Sequence, residues 1–136
     1  MKKIILITLC ALLLLSGCAT TEKYDKNEVY KVVNAFSKDV KNQNYDKART
    51  YYVNGEDSDV LSFTSLVNSS YFGHAIAEGN FSYTIQSYNE ETNSIKISFI
   101  YDNESHSMTV LHVDDEYKIF FTEEEIKKWQ ILRRLL

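Results

Sequence analysis

The sequence predicts an α+β domain in which N-terminal helices pack on a four-stranded antiparallel sheet, with one more helix at the C-terminus. Three observations predict it. Between residues 25 and 52 apolar side chains recur every three or four positions. From Phe81 to Phe121 the period drops to two. At Thr122, followed three residues on by Glu125, a capping-box pattern announces a new helix.

Val29, Val32, Val33, Phe36 and Val40 form the stripe of the first helix over residues 25–42, with Lys31, Lys38, Asp39 and Lys41 assigned to the polar side. Asp25, with Glu28 three residues later, is its expected cap. Asn42-Gln43-Asn44 interrupts the pattern, and Tyr45, Ala48 and Tyr52 then predict a second, shorter helix capped by Asn44. After the acidic turn Asn54 to Asp59, the apolar residues Val60, Phe63, Leu66, Val67, Tyr71 and Phe72 lack strand alternation, so residues 59–76 are expected to be helical, ending at Gly79-Asn80.

The strands follow. Phe81, Tyr83 and Ile85 alternate with polar neighbours, as do Ile95, Ile97, Phe99 and Tyr101, and Asn89 to Asn93 joins the two runs. Met108, Val110 and His112 form a third, and Asp114-Asp115-Glu116 turns the chain into Tyr117 to Phe121. Four strands in succession are most simply an antiparallel meander. Glu123 and Glu124 at the positive end of the last helix, and Arg133 and Arg134 at its negative end, suit a helix dipole; Ile126, Trp129, Leu132 or Arg133, and Leu136 set its stripe.

The N-terminus has a different character. Lys2-Lys3 precedes an apolar run from Ile4 to Leu15, closed by Ser16-Gly17-Cys18. Twelve residues are too few to span a bilayer, for which a helix needs about 20, but they suit an export signal. Leu15-Ser16-Gly17-Cys18 resembles the lipobox of bacterial lipoproteins. The resemblance implies cleavage between Gly17 and Cys18, a thioether-linked diacylglycerol on Cys18, and acyl chains such as palmitate holding the chain to a bilayer. Two chains hold well where one holds marginally. The expected organisation is therefore a signal peptide at 1–17, a lipidated Cys18 with its tether at 18–26, and a single domain at 27–136. The implied location is a cell membrane, facing outside the cytoplasm.

Removal of residues 1–17 leaves 119 of 136 residues, one domain's worth. All 18 aromatics lie beyond residue 23 and supply large side chains for a core. The only cysteines are Cys10 and Cys18, so the mature domain has neither a disulfide framework nor a cysteine-based metal site.

Asn44-Tyr45-Asp46-Lys47-Ala48 opening the second helix, together with a sheet ending in Val113-Asp114-Asp115-Glu116-Tyr117-Lys118-Ile119, resembles the cystatin-like fold of the nuclear-transport-factor-two-like superfamily over residues 27–121. The resemblance implies a sheet curled around helices into a cone whose mouth holds a ligand, a catalytic site or a partner. The C-terminal helix is an addition to the simplest form, expected to cap the cone or lie across it. Tyr83, Tyr101 and His112 are the candidate cone-lining residues.

No set of side chains specifies a reaction. His74, His106 and His112 are the only histidines and lack metal-ligand spacing; His112 shares the alternation of Met108 and Val110 and is the one candidate base. Glu56-Asp57 with Asp59, and Asp114-Asp115-Glu116, lack the spacing of a calcium loop and read as turn chemistry. There is no Gly-x-Ser-x-Gly elbow, and glycines only at 17, 55, 73 and 79 leave no phosphate-cradling loop. Charge is more informative. Residues 54–125 carry 14 acidic and 2 basic residues, whereas 126–136 carry 4 basic and none acidic. A nucleic-acid reader needs the opposite sign over its main surface. The sequence thus points to a membrane-anchored, non-catalytic binding or accessory module without cofactor or metal. Its expected partners are the bilayer, through Cys18, and an envelope protein or small ligand. The rival expectations are a small cone-fold isomerase or hydrolase and a surface exclusion or immunity lipoprotein.

Overall fold

The computed structural model describes residues 23–79 and 81–126. The expected signal peptide, Cys18, the start of the tether and the Trp129, Leu132 and Leu136 stripe lie outside the described residues. Helices come first and a four-stranded antiparallel sheet follows, as the change of period from 3.6 to 2 requires.

Helix α1 (Lys26–Lys41) starts where the Asp25 carboxylate accepts the Asn27 N–H at 3.0 Å. It buries Val29, Val33, Phe36 and Val40. Asp39 is buried with them instead of lying on the polar side. It follows Phe36 by three positions, and residues three apart share a helix face.

The second helix is shorter than its pattern. Helix α2 (Tyr45–Ala48) is a single turn that tightens into a 3₁₀ turn at Arg49–Tyr51, and Asn44 makes no side-chain cap bond. Tyr52 is already extended and pairs with Ile119, where the Val53 N–H donates to the Ile119 carbonyl at 2.9 Å. Pairing with the sheet therefore wins over one more helical turn.

The apolar run over 59–76 forms two helices, α3 (Val60–Ser69) and α4 (Tyr71–Glu78). Asp59 caps α3 by accepting the Ser62 N–H and hydroxyl, each at 2.8 Å. These bonds hold its carboxyl below the usual carboxylate range. Ser70 makes the break: its hydroxyl donates to the Val67 carbonyl at 2.6 Å and accepts the Gly73 N–H at 2.9 Å, ending one helix and capping the next. A Cβ on Gly73 would collide with the Val67 carbonyl, so this corner admits only glycine. Gly79, at φ +84°, closes α4 in the left-handed region.

Strands β1 (Tyr83–Asn89), β2 (Ser94–Tyr101), β3 (Glu104–Val113) and β4 (Glu116–Phe120) pair in sequence order. A register shift between Ile85 and Ser87 bulges β1. Two of the three connections are two-residue turns, Asp102-Asn103 and Asp114-Asp115, with all four residues at positive φ. That geometry matches the twist of a hairpin and is one Asn and Asp tolerate. Strand β3 begins four residues ahead of Met108, because Glu104 to Ser107 run beyond the core and carry no apolar alternation.

Ile95, Ile97, Phe99, Met108, Val110 and Ile119 are buried between sheet and helices. At the centre the Phe36 ring stacks on Phe72 at 5.2 Å and meets Phe63 and Phe121 at 6.3 and 6.2 Å. The C-terminal helix is not seen among the described residues. After β4 there is a 3₁₀ turn at Glu123–Glu125, and Ile126 is extended and bridged to Ser70.

Candidate functional site

Each end of the sheet gathers a different set of side chains. At the first end lie the β1–β2 turn and the β3–β4 turn, joined where the His112 N–H donates to the Asn93 carbonyl at 2.9 Å. The start of α1 meets them there. Lys23 forms an ion pair with Glu90, the Tyr24 ring lies 5.0 Å from that of Tyr88, and the Asp25 N–H donates to the Tyr117 hydroxyl at 2.8 Å.

Beside this junction a groove of about 460 Å³ runs between α1 and the β3–β4 hairpin. That volume lies within the range of small-ligand sites. Val32 and Ala35 are its apolar residues on α1, Tyr51 and Tyr117 add aromatic walls, and Glu28, Lys31, Asp115, Glu116 and Lys118 supply charges of both signs. The Lys118 ammonium is tied down, donating to the Thr50 carbonyl at 2.7 Å and lying 3.6 Å from Glu116. The lining contains no serine, cysteine or histidine.

The three residues expected to line one cone do not converge. His112 does share the helix-facing register of Met108 and Val110, but it sits one rung from the β3–β4 turn, half-buried, its ring flat against Tyr117 at 4.2 Å and 6°. Tyr101 ends β2 at the other end of the sheet, 5.8 Å from both His74 and His106, ring to ring. Tyr83 begins β1 and donates its hydroxyl to Asn34 Oδ1 at 2.7 Å. Burial, with the Tyr30 phenol nearby, pushes the Tyr83 phenol up to about 12. Among the described residues, the space between sheet and helices at mid-sheet holds core side chains.

Two polar arrangements were not apparent in the pattern. Tyr71 of α4 stacks on His106 at 4.1 Å and 20° and lies 6.3 Å from Tyr101, an aromatic cluster at the second end. Only His106 preceding Met108 in even register hints at it. Glu125, read as a capping residue, does accept the Thr122 N–H at 3.0 Å, but its buried carboxylate also accepts the hydroxyls of Ser107 at 3.0 Å and Thr109 at 3.0 and 3.1 Å. Near it, burial raises the Tyr52 phenol above its ordinary value; the Phe121 N–H bond opposes the shift and the Glu125 charge adds to it.

Among the described residues no three His, Cys, Asp or Glu side chains are grouped to hold a metal ion, and no helix is long and apolar enough to cross a membrane. No family model, no curated protein and no solved structure matches the chain.

Proposed function

We propose that the chain is a lipid-anchored envelope protein, held by diacylglyceryl Cys18 on the outer side of a cell membrane, whose domain is a non-catalytic binding module of cystatin-like form. The Leu15-Ser16-Gly17-Cys18 tetrad after a short apolar run supports the anchor. Helices followed by a four-stranded meander support the cone-like form.

The groove between α1 and the β3–β4 hairpin carries the binding reading. It pairs an apolar floor with a two-sign rim, which suits recognition of a small ligand or a partner's side chains. Two experiments test the proposal. Cys18→Ala should move the protein from the membrane to the soluble extract; retention in the membrane overturns the anchor. A photo-crosslinking side chain at Val32 should capture a discrete partner or ligand in intact cells that the same group at exposed Leu61 does not. Identical products at both positions would overturn the groove as the binding site.

A further inference from the structure

We infer that the domain stands on the bilayer by the end of the sheet that carries the β1–β2 and β3–β4 turns, and that the acidic rim of this end holds it off anionic headgroups. The inference rests on the lipid-anchor reading. What it adds is an orientation and a lipid preference.

The orientation comes from three contacts that fix where the chain enters the domain. The Lys23–Glu90 ion pair, the Tyr24–Tyr88 ring contact and the hydrogen bond from Asp25 to Tyr117 tie the entering segment to β1, β4 and the β1–β2 turn at once. Four residues lie between Cys18 and Lys23, so five steps of about 3.6 Å cannot carry the Lys23 backbone more than ~18 Å from that of Cys18. Strand β2 alone, with seven rises of about 3.4 Å between Ser94 and Tyr101, puts the Asp102-Asn103 turn ~24 Å further along the sheet. An entering segment pinned at one end thus leaves the other end remote from the headgroups.

The lipid preference comes from charge. The near end presents Glu90, Glu91, Asp114, Asp115 and Glu116, all exposed. Lys23 answers Glu90 and Lys118 approaches Glu116, whereas Glu91, Asp114 and Asp115 form no ion pair among the described residues, Lys31 being the cation that shares the groove with Asp115. Their field reaches about 10 Å at ordinary ionic strength and opposes that of an anionic leaflet. The cations Lys127, Lys128, Arg133 and Arg134 follow Ile126 in the chain. Ile126 is bridged to Ser70, and Glu125 beside it is bound to Ser107, which pairs with Ser98 in the far half of the sheet. The groove, lined in part by Asp115 and Glu116, is then presented close to the bilayer.

The test uses the full lipidated chain in phosphatidylcholine vesicles bearing a headgroup quencher. A fluorophore is placed through Thr92→Cys at the near end or Glu104→Cys at the far end. Quenching should be at least about twofold at position 92 and negligible at 104, as the reach of the tether dictates. Equal quenching, or the reverse order, overturns the orientation. Adding phosphatidylglycerol should weaken quenching at 92, and the Glu91→Gln, Asp114→Asn, Asp115→Asn triple variant should restore it. Stronger quenching at 104 with anionic lipid would show the basic C-terminal segment docking on the membrane and overturn the stand-off. Flotation of the same samples reports the anchor separately: protein that fails to float with the vesicles overturns the anchored reading itself.

Discussion

The Glu125 carboxylate grips the Thr109 hydroxyl, at 3.0 and 3.1 Å from its two oxygens, where β3 runs past the end of β4. Phe120 is the last residue of β4 and pairs with Thr109, so β3 has no ladder partner on that side beyond this rung. Glu125 supplies side-chain bonds in place of backbone ones. It reaches Ser107 as well, and its hold on the Thr122 N–H keeps the connecting turn tight.

Replacing Glu125 with alanine leaves two hydroxyls and one backbone N–H without this acceptor. The expected loss is about 1–3 kcal/mol, the cost of stranding buried polar groups. Glu125→Gln keeps one acceptor oxygen and should lose less. Urea unfolding midpoints of the three proteins at equal slope check the order.

Phe36 touches Phe63, Phe72 and Phe121 and is fully buried, whereas Leu61 is 81% exposed. Phe36→Ala should cost about 3–5 kcal/mol through lost transfer energy and the cavity left behind. Leu61→Ala should stay within about 0.5 kcal/mol. The contrast, read from thermal or chemical unfolding, tests whether the aromatic cluster is the centre of the core.

The Tyr83 phenol, pushed up to about 12, makes the domain sensitive to alkali. Its folded pKa lies above the ordinary tyrosine value, so the neutral form is the one folding favours. Its contribution is complete below about pH 10 and is lost as pH rises through about 12. Ultraviolet titration should show a phenol that ionises about two units late and is absent from Tyr83→Phe. A Tyr83→Phe profile identical to the parent would refute the assignment.

Asp115 holds φ +62° at the second position of the β3–β4 turn. Aspartate tolerates this region, but glycine enters it without a Cβ penalty, and Asp-Gly is a favoured pair in such turns. Asp115→Gly should therefore stabilise the domain, by about 0.5–1 kcal/mol against the left-handed strain of a non-glycine residue. A lowered unfolding midpoint would show that the aspartate side chain has a role the turn geometry does not express.

Local pattern carried much of this protein. Amphipathic spacing foretold α1 down to Val29, Val33, Phe36 and Val40, and alternation foretold all four strands and their order, because each is a short-range consequence of helical or pleated geometry. The capping signature of Thr122 and Glu125 was legible for the same reason. Tertiary structure decided the rest. Whether α2 continued past Ala48 depended on the pairing of Tyr52 with Ile119, 67 positions away in the sequence. Whether 59–76 was one helix or two depended on the corner at Ser70 and Gly73, packed onto the Val67 carbonyl. Glu125 looked like a helix cap until β3 brought Ser107 and Thr109 beside it. The groove was invisible in the sequence because its lining comes from α1, Tyr51 and the β3–β4 hairpin, segments that meet only when the sheet closes over the helix. Periodicity reports which face of an element is buried; what that face and its rim meet is set by contacts between residues far apart in the chain.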